Sequence, residues 1–148
     1  RIINMKQYCF FIFFILFMTC SEAESPEIIT PYEANKEKWE NASILDYSFI
    51  FKVSCYCTEE YIRPKTVLVR DGEIIKVNNI AYSEEMHWGI LSINDLFNEI
   101  EKASNQNVAL LETTYDSYYG FPTYIYIDRD ERIADEEKGY SVTNFKLL

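Results

Sequence analysis

A chain of 148 residues with 48% apolar and 16% aromatic side chains is long enough and apolar enough to fold as one domain around a core, which excludes disorder throughout. Its formal net charge of −10 at pH 7 argues against nucleic-acid binding, because neutralising phosphates requires clustered Lys and Arg side chains. The same charge argues against adhesion to anionic lipid through a basic face. Binding partners are therefore expected to be neutral or cationic.

The N-terminal segment has the pattern of an export signal. Lys6 is followed by an uncharged stretch over residues 8–19, rich in Phe, Ile and Leu, which ends at Cys20. About 12 residues at ~1.5 Å per residue reach only ~18 Å in a helix, too short for a hydrocarbon core of ~30 Å. Residues 1–19 are therefore predicted to be a lipoprotein signal peptide.

The end of this stretch, Phe17-Met18-Thr19-Cys20, resembles a lipobox, the site at which bacterial lipoproteins are cleaved and their cysteine is acylated. The resemblance implies that Cys20 is lipidated and anchors the exported chain in the bacterial cell envelope, at the outer membrane or cell surface rather than in the cytoplasm. The alternative is an ordinary signal peptide cut elsewhere. Residues 20–29, with three glutamates and one proline, are predicted to be a flexible acidic tether.

Residues 30–148 are predicted to form a single α+β domain that contains two helices. The first is expected from Pro31 to about Asn41, because Thr30 and Glu33 can form a capping box at its start. The second begins after Ser92, with Asp95 in the capping-box position. Its apolar residues recur at intervals of three and four and predict a buried stripe: Ile93, Leu96, Phe97, Ile100 and Ala103.

Strand patterns occupy the remaining segments. From Tyr47 to Cys57 apolar and polar side chains alternate, as in a half-buried strand. The segment from Thr66 to Val77 is divided by Asp71-Gly72, which is typical of a two-residue hairpin turn. The order of one helix and three strands, repeated, predicts an antiparallel sheet of about six strands with two helices packed on one face. The last three strand candidates are Val108–Tyr115, Phe121–Arg129 and Tyr140–Leu147.

Several short motifs follow one another between Asn35 and Phe145. They are Asp46-Tyr47-Ser48-Phe49, Cys55-x-Cys57, Asp71-Gly72, Ile93-x-Asp95-Leu96-Phe97, Thr114-Tyr115-Asp116, Tyr119-Gly120-x-Pro122, Ile127-Asp128 and Ile133-Ala134-Asp135-Glu136-Glu137. On these motifs the domain resembles a family of small secreted and lipoprotein domains of unknown function in bacterial envelope proteins. The resemblance supports the architecture and implies no established activity.

Cys55 and Cys57 form the most distinctive pair. Two cysteines at i and i+2 of a strand point the same way, here toward the apolar side. Cys9 and Cys20 belong to the leader and its cleavage site, so in an oxidising compartment this pair has only itself or another chain as partner. A structural disulfide or buried thiols is our preferred interpretation, and redox chemistry and metal binding by two thiolates remain alternatives.

No group of residues typical of an enzyme stands out. His87, the sole histidine, has no serine motif, Walker loop or dinucleotide fingerprint beside it. Asp116 and Asp128 are a weak candidate for a glycosidase carboxylate pair. The acidic segment lacks the spacing and glycine of an EF-hand loop and is predicted to be a solvated hairpin connection: Asp128, Asp130, Glu131, Asp135, Glu136 and Glu137. We predict no catalytic residue, no metal and no cofactor.

The last third of the chain is rich in tyrosine, and Tyr115, Tyr119, Tyr124 and Tyr126 are candidates for a binding face. The alternative is that they are ordinary strand aromatics.

The whole pattern predicts a membrane-tethered, non-catalytic binding or accessory module. Its expected partners are the membrane, through acylated Cys20, and an unknown envelope protein or glycan, with no nucleic acid. The alternative function is a small envelope hydrolase or a thiol-redox protein that uses Cys55 and Cys57.

Overall fold

The computed structural model describes residues 30–148. The predicted signal peptide, the Cys20 lipidation site and the acidic tether lie outside the described residues. Within this range the elements in chain order are α1 (Pro31–Ala42), β1 (Tyr47–Ser54), α2 (Glu59–Ile62), β2 (Lys65–Arg70), β3 (Glu73–Val77), β4 (Ile80–Ala81), α3 (Ile93–Asn105), β5 (Leu110–Tyr115), β6 (Pro122–Asp128) and β7 (Lys138–Leu147).

The described strands form one antiparallel sheet in the order β4-β3-β2-β1-β7-β6-β5. β1 lies in the middle and pairs with β2 on one side and with the last strand, β7, on the other. The predicted α+β class and antiparallel sheet are confirmed. The sequence predicted one strand and one helix fewer than the structure has. The missed elements are β4, with two residues, and α2, with four. Elements this short do not produce a periodic pattern.

Both long helices begin where the sequence predicted. At the start of α1, Glu33 N–H donates to Thr30 Oγ1 at 3.2 Å and Thr30 N–H donates to Glu33 Oε2 at 2.8 Å. The same reciprocal pair joins Ser92 and Asp95 at the start of α3, at 3.2 and 2.9 Å. These bonds satisfy backbone N–H groups that a helix end leaves free, so the sequence determines both starts locally.

The core lies between one face of the sheet and the two long helices. Every second side chain of β1 is buried there, and all five predicted stripe residues of α3 are buried against them. α1 contributes one buried residue, Trp39, which is 4% exposed. Its indole Nε1 donates to Asn94 Oδ1 at 2.8 Å, and its ring meets three aromatic rings of the sheet side at centroid distances of 5.5 to 6.0 Å: Tyr47, Phe121 and Phe145. Trp39 therefore joins α1 to both α3 and the sheet.

The buried Tyr47 hydroxyl also supports the start of α3. It accepts a hydrogen bond from the backbone N–H of Ile93 at 3.2 Å. Burial raises the pKa of the Tyr47 phenol to about 12. Because the folded state favours the neutral phenol, this group's contribution to stability is fully present below its ordinary pKa of about 10 and is lost as the pH rises through about 12.

The hairpin between β2 and β3 has the predicted two-residue turn. Arg70 pairs with Glu73, and Asp71 and Gly72 between them have φ of 50° and 80°. The Asp46 carboxylate accepts from the Asp71 N–H and from the Arg70 guanidinium, both at 2.9 Å. These two contacts hold the pKa of Asp46 below its ordinary value. The carboxylate therefore stabilises the turn fully at pH values above the ordinary pKa of an aspartate, and this effect is lost as the pH falls through the lowered pKa.

Candidate functional site

The four candidate tyrosines do not share one face. Tyr124 and Tyr126 point away from the core, because Ile125 and Ile127 between and beside them are fully buried. Tyr115 points to the helix side, where its ring stacks on that of Phe97 of α3 with the two ring centroids 6.4 Å apart. The reason is strand alternation: Thr114 pairs with Tyr124 on the outer face, so the next residue, Tyr115, points inward.

Tyr119, the fourth candidate, lies in the turn between β5 and β6, with its ring 5.8 Å from that of Phe145. The same turn uses the Asp116 carboxylate, whose Oδ1 accepts from the N–H groups of Tyr118 and Tyr119 at 3.0 and 2.6 Å. Lys38 Nζ of α1 donates to the Ser117 carbonyl at 3.1 Å. The Asp116 carboxylate therefore shapes the turn, and Lys38 holds the turn against α1.

Asp116 and Asp128 do not form a carboxylate pair. Asp116 lies beside Phe121, just before β6, and Asp128 is the last residue of β6. A strand of seven residues at ~3.3 Å per residue separates them by roughly 20 Å, whereas the two carboxyl groups of a glycosidase lie about 5 to 9.5 Å apart. The glycosidase pair considered from the sequence is therefore wrong.

The carboxylates between β6 and β7 are used to build their loop. Glu136 Oε1 accepts from the N–H groups of Arg129 and Asp130 at 2.6 and 2.7 Å. The Asp130 carboxylate binds the Arg132 guanidinium through two contacts of 2.7 and 2.6 Å, which lower the pKa of Asp130. Over residues 30–148 no three His, Cys, Asp or Glu side chains are grouped so as to hold a metal ion.

The same acids crowd the outer face near Tyr126. Desolvation and the carboxylates of Glu137, Asp128 and Glu112 raise the pKa of Tyr126. Desolvation and the neighbouring Glu136 and Glu137 raise the pKa of Asp128. A raised carboxyl pKa means that the folded state is less stable once the group ionises. Of these acids, Asp128 is therefore held less favourably as a carboxylate than as the neutral acid, whereas Glu136 and Asp130 stabilise the loop.

Cys55 and Cys57 follow β1, which ends at Ser54, rather than lying within it. They are joined in a disulfide with their Cα atoms 5.3 Å apart. Cys55 is half-buried and packs against the core, whereas Cys57 is exposed, so the expectation that both point to the apolar side holds for Cys55 only. The redox state of this pair in its native compartment stays a prediction.

An exposed aromatic cluster that the sequence did not indicate contains Trp88. Trp88 and Met86 are each 66% exposed and lie in the segment between β4 and α3. The indole stacks on the Tyr61 ring of α2 with centroids 4.8 Å apart and planes 23° apart. Beside it lies a cavity of about 300 Å³, called here the Trp88 cleft, lined by Thr58, Glu60, Tyr61, Lys65, Glu85, Met86, His87, Trp88 and Ile90.

Specific contacts fix this cluster in place. Gly89 has φ of +77°, and a Cβ there would overlap the Tyr61 hydroxyl oxygen, so only glycine allows the segment to close on that ring. Lys65 Nζ donates to the carbonyls of Glu60, Tyr61 and Arg63 at 2.8 to 3.0 Å. The ammonium group of Lys138 lies 5.6 Å from the Tyr61 ring centre. The Tyr61 ring beneath Trp88 is therefore held in place by its contacts with Gly89 and Lys138.

His87 orders the same segment. Its ring stacks on Tyr82 at 5.7 Å, and its Nδ1 lies 3.3 Å from both the backbone N and O of Ser83. A ring bonded to its own loop in this way has a structural role. Sequence reasoning considered the histidine of this segment and missed its neighbour Trp88. The available signal was a Trp and a Met in a stretch without periodicity, between two glutamates and a glycine.

Larger clefts lie elsewhere in residues 30–148. One of about 390 Å³ lies between the β5–β6 turn and β7 and includes Tyr119 and Phe145. Another of about 470 Å³ lies between the start of α1 and β5 and includes Tyr32 and Tyr115. Tyr32, Tyr115, Tyr119 and Phe145 all pack partly into the core. The exposed aromatic side chain of the first cleft, Tyr118, meets Tyr119 edge-on, whereas the exposed indole of the Trp88 cleft lies face to face on Tyr61 and so presents a flat surface.

Comparison with known proteins gives a family without a described activity. A family model described as a family of unknown function (DUF6174) matches residues 31–147. Neither the curated proteins nor the solved structures contain a match to the chain. The matched range covers every element of the described fold as well as the Trp88 cleft.

Proposed function

Since the chain belongs to a family of unknown function (DUF6174), its role has to be inferred from its surfaces, and we propose that it is a membrane-tethered envelope protein whose folded domain is a non-catalytic binding module. The observation that carries the proposal is the exposed Trp88 at the rim of the Trp88 cleft. Burying the exposed two thirds of an indole would gain about 3 kcal/mol at ~25 cal/mol per Å². A binding partner would supply that gain.

Rigidity supports the same conclusion. Trp88 stacks on Tyr61, and Tyr61 is held by the close approach of Gly89 and by Lys138 above its ring. A surface that is already ordered loses little conformational freedom when it binds. The cluster therefore has the properties of a preformed binding surface.

The tether is inferred from the sequence. The apolar stretch over residues 8–19 ends at Cys20, and residues 20–29 are acidic. An acylated Cys20 would anchor the chain, and the proposed tether of about ten residues would reach roughly 17 Å by the ~5 to 6 Å × √n rule for flexible chains. The domain would then meet partners close to the membrane. Within residues 30–148 the helices are all too short or too polar to cross a membrane.

A thiol-redox role is the second candidate, because Cys57 is exposed and the disulfide immediately precedes Thr58 of the Trp88 cleft. That role needs Cys55 or Cys57 as an attacking thiolate. A binding module needs the pair only for local order. Replacing both cysteines with serine therefore abolishes the activity of a redox protein and leaves contact through Trp88 in a binding module.

Site-specific crosslinking tests the proposal. A benzophenone side chain placed at Met86 of the full-length chain, in the cells that produce it, is expected to give a discrete adduct. Trp88→Ala should remove that adduct, because the indole provides the platform on which the partner rests. Yield is measured by gel shift after irradiation.

The matched control is the same benzophenone at Tyr118, an aromatic residue that is 76% exposed in the β5–β6 turn. It is expected to give no adduct that depends on Trp88. Adducts at position 118 and none at position 86 would place the binding surface elsewhere. An adduct at position 86 that survives Trp88→Ala would contradict the role of the indole.

A further inference from the structure

We propose that the Trp88 cleft binds a neutral, β-linked pyranose chain. This inference rests on the proposed function and names the ligand class for the same surface. One face of the indole is covered by Tyr61 at 4.8 Å, and the side chain is nevertheless 66% exposed. The open face is therefore a flat apolar platform. A β-linked pyranose ring presents a flat face of axial C–H groups, whose partial positive charge suits the negative face of an aromatic ring.

Polar groups border this platform. Thr58, Glu60, Glu85 and His87 line the cleft together with Trp88. A carboxylate accepts hydrogen bonds at both oxygens, a hydroxyl donates and accepts, and His87, whose Nδ1 contacts its own loop, has Nε2 left to contact a ligand. This mixture suits a ligand that carries several neighbouring hydroxyl groups, each of which is both donor and acceptor. An apolar platform with a few polar groups around it is also the general composition of a small-molecule site.

The charges of the cleft favour a neutral ligand. Glu60 and Glu85 oppose an anionic ligand such as a phosphate. Lys65, which also lines the cleft, opposes a cationic one, and its ammonium group already donates to three backbone carbonyls. The two carboxylates therefore disfavour an anionic ligand, and Lys65 offsets one of them, so the cleft carries little net charge to attract a cation.

The size of the cavity favours a sugar over a protein as its ligand. The cavity of about 300 Å³ lies at the small end of the range for ligand pockets, roughly 300 to 1,000 Å³. A stable protein interface needs about 800 Å² from each partner and a cluster of buried anchors. At the cleft two large apolar side chains are exposed, Met86 and Trp88. One or two sugar rings match this platform better than a protein surface does.

Indole NMR of the full-length ¹⁵N-labelled chain in mild detergent tests the inference. The sequence contains two tryptophans, so the spectrum holds two indole N–H signals. That of Trp39 is buried and bonded to Asn94, whereas that of Trp88 is exposed. The probes are cellotriose and tri-N-acetylchitotriose. With at least one of them, the Trp88 signal is expected to shift saturably while the Trp39 signal stays in place.

Variants make the result specific to the cleft. Loss of the ring in Trp88→Ala is expected to raise Kd about tenfold or more. Glu85→Gln, which keeps the size of the side chain and removes its charge, is expected to weaken binding by a smaller factor. Tyr118→Ala should leave Kd unchanged. Binding that is equal in Trp88→Ala and in the unmodified chain would overturn the assignment of the cleft.

Two further outcomes would also overturn the sugar assignment. The first is the absence of any shift with both trisaccharides at their solubility limits. The second is a Trp88 shift caused by phosphatidylethanolamine and phosphatidylglycerol, added as mixed micelles with the same detergent, and by neither sugar, which would assign the surface to lipid. In either case, a Trp88-dependent adduct at position 86 would leave the binding module itself intact, so the two proposals fail separately.

Discussion

Replacing Trp39 with alanine is expected to lower the free energy of unfolding by about 3 to 5 kcal/mol, the usual cost of deleting a large buried aromatic side chain. Trp39 is 4% exposed and is the one buried residue that α1 supplies to the core. Its removal also leaves Asn94 Oδ1 without the indole donor at 2.8 Å. The measurement is urea unfolding of the full-length chain, followed by far-ultraviolet circular dichroism.

Trp88→Ala is the matched control, because it deletes the same side chain from an exposed position. Its loss should cost about 1 kcal/mol or less, mainly from the stacking contact with Tyr61. Equal losses for the two variants would mean that Trp88 is packed like a core residue. Its surface would then not be available for binding.

Gly120→Ala is expected to cost more than an ordinary glycine substitution in a turn. Gly120 has φ of +81°, and a Cβ there would overlap the Asn35 carbonyl oxygen and lie 3.0 Å from Lys38 Cβ. The left-handed conformation alone costs about 1 to 2 kcal/mol for alanine. Displacing α1 from the turn should add about 1 to 3 kcal/mol. Urea unfolding measures the sum.

Gly72→Ala separates these two costs. Gly72 has nearly the same φ, +80°, but a Cβ there would meet only Leu45 Cδ2 at an ordinary contact distance of 3.9 Å. It should therefore show the conformational cost alone, about 1 to 2 kcal/mol. If Gly120→Ala proves no more damaging than Gly72→Ala, the β5–β6 turn does not depend on its contact with α1.

Local sequence signals predicted much of the fold. The starts of α1 and α3 depend on side chains three residues apart, Thr30 with Glu33 and Ser92 with Asp95. The turn at Asp71-Gly72 depends on two residues that tolerate positive φ. Since these interactions lie within a few residues of each other, the amino-acid pattern is enough to reveal them.

The features that were missed depend on contacts between distant segments. In β3 a register shift places Ile74 rather than Ile75 opposite Val69. Apolar residues of this hairpin therefore occur at both odd and even positions and do not alternate regularly. The alternation of β1 continues through Cys57 in the sequence, yet the strand ends at Ser54. No local pattern marks either event.

The candidate site was missed for the same reason. Trp88 becomes a platform because Tyr61, 27 positions earlier in the printed sequence, lies beneath it. Strand alternation accounts for the outward direction of Tyr124 and Tyr126. It carried no information on which exposed aromatic side chains are held rigidly over a cleft, because that depends on how α2 and the segment before α3 meet.

Hydroxyl-radical footprinting of Trp88 in intact cells tests whether a partner covers the Trp88 cleft, and it requires no change to the chain. In the purified protein, Trp88 should be oxidised rapidly and the buried Trp39 slowly. In cells, oxidation of Trp88 is expected to fall markedly while that of the exposed Tyr118 does not. Equal oxidation of Trp88 in cells and in the purified protein would show that nothing covers this surface where the protein works, and would contradict the proposed binding function.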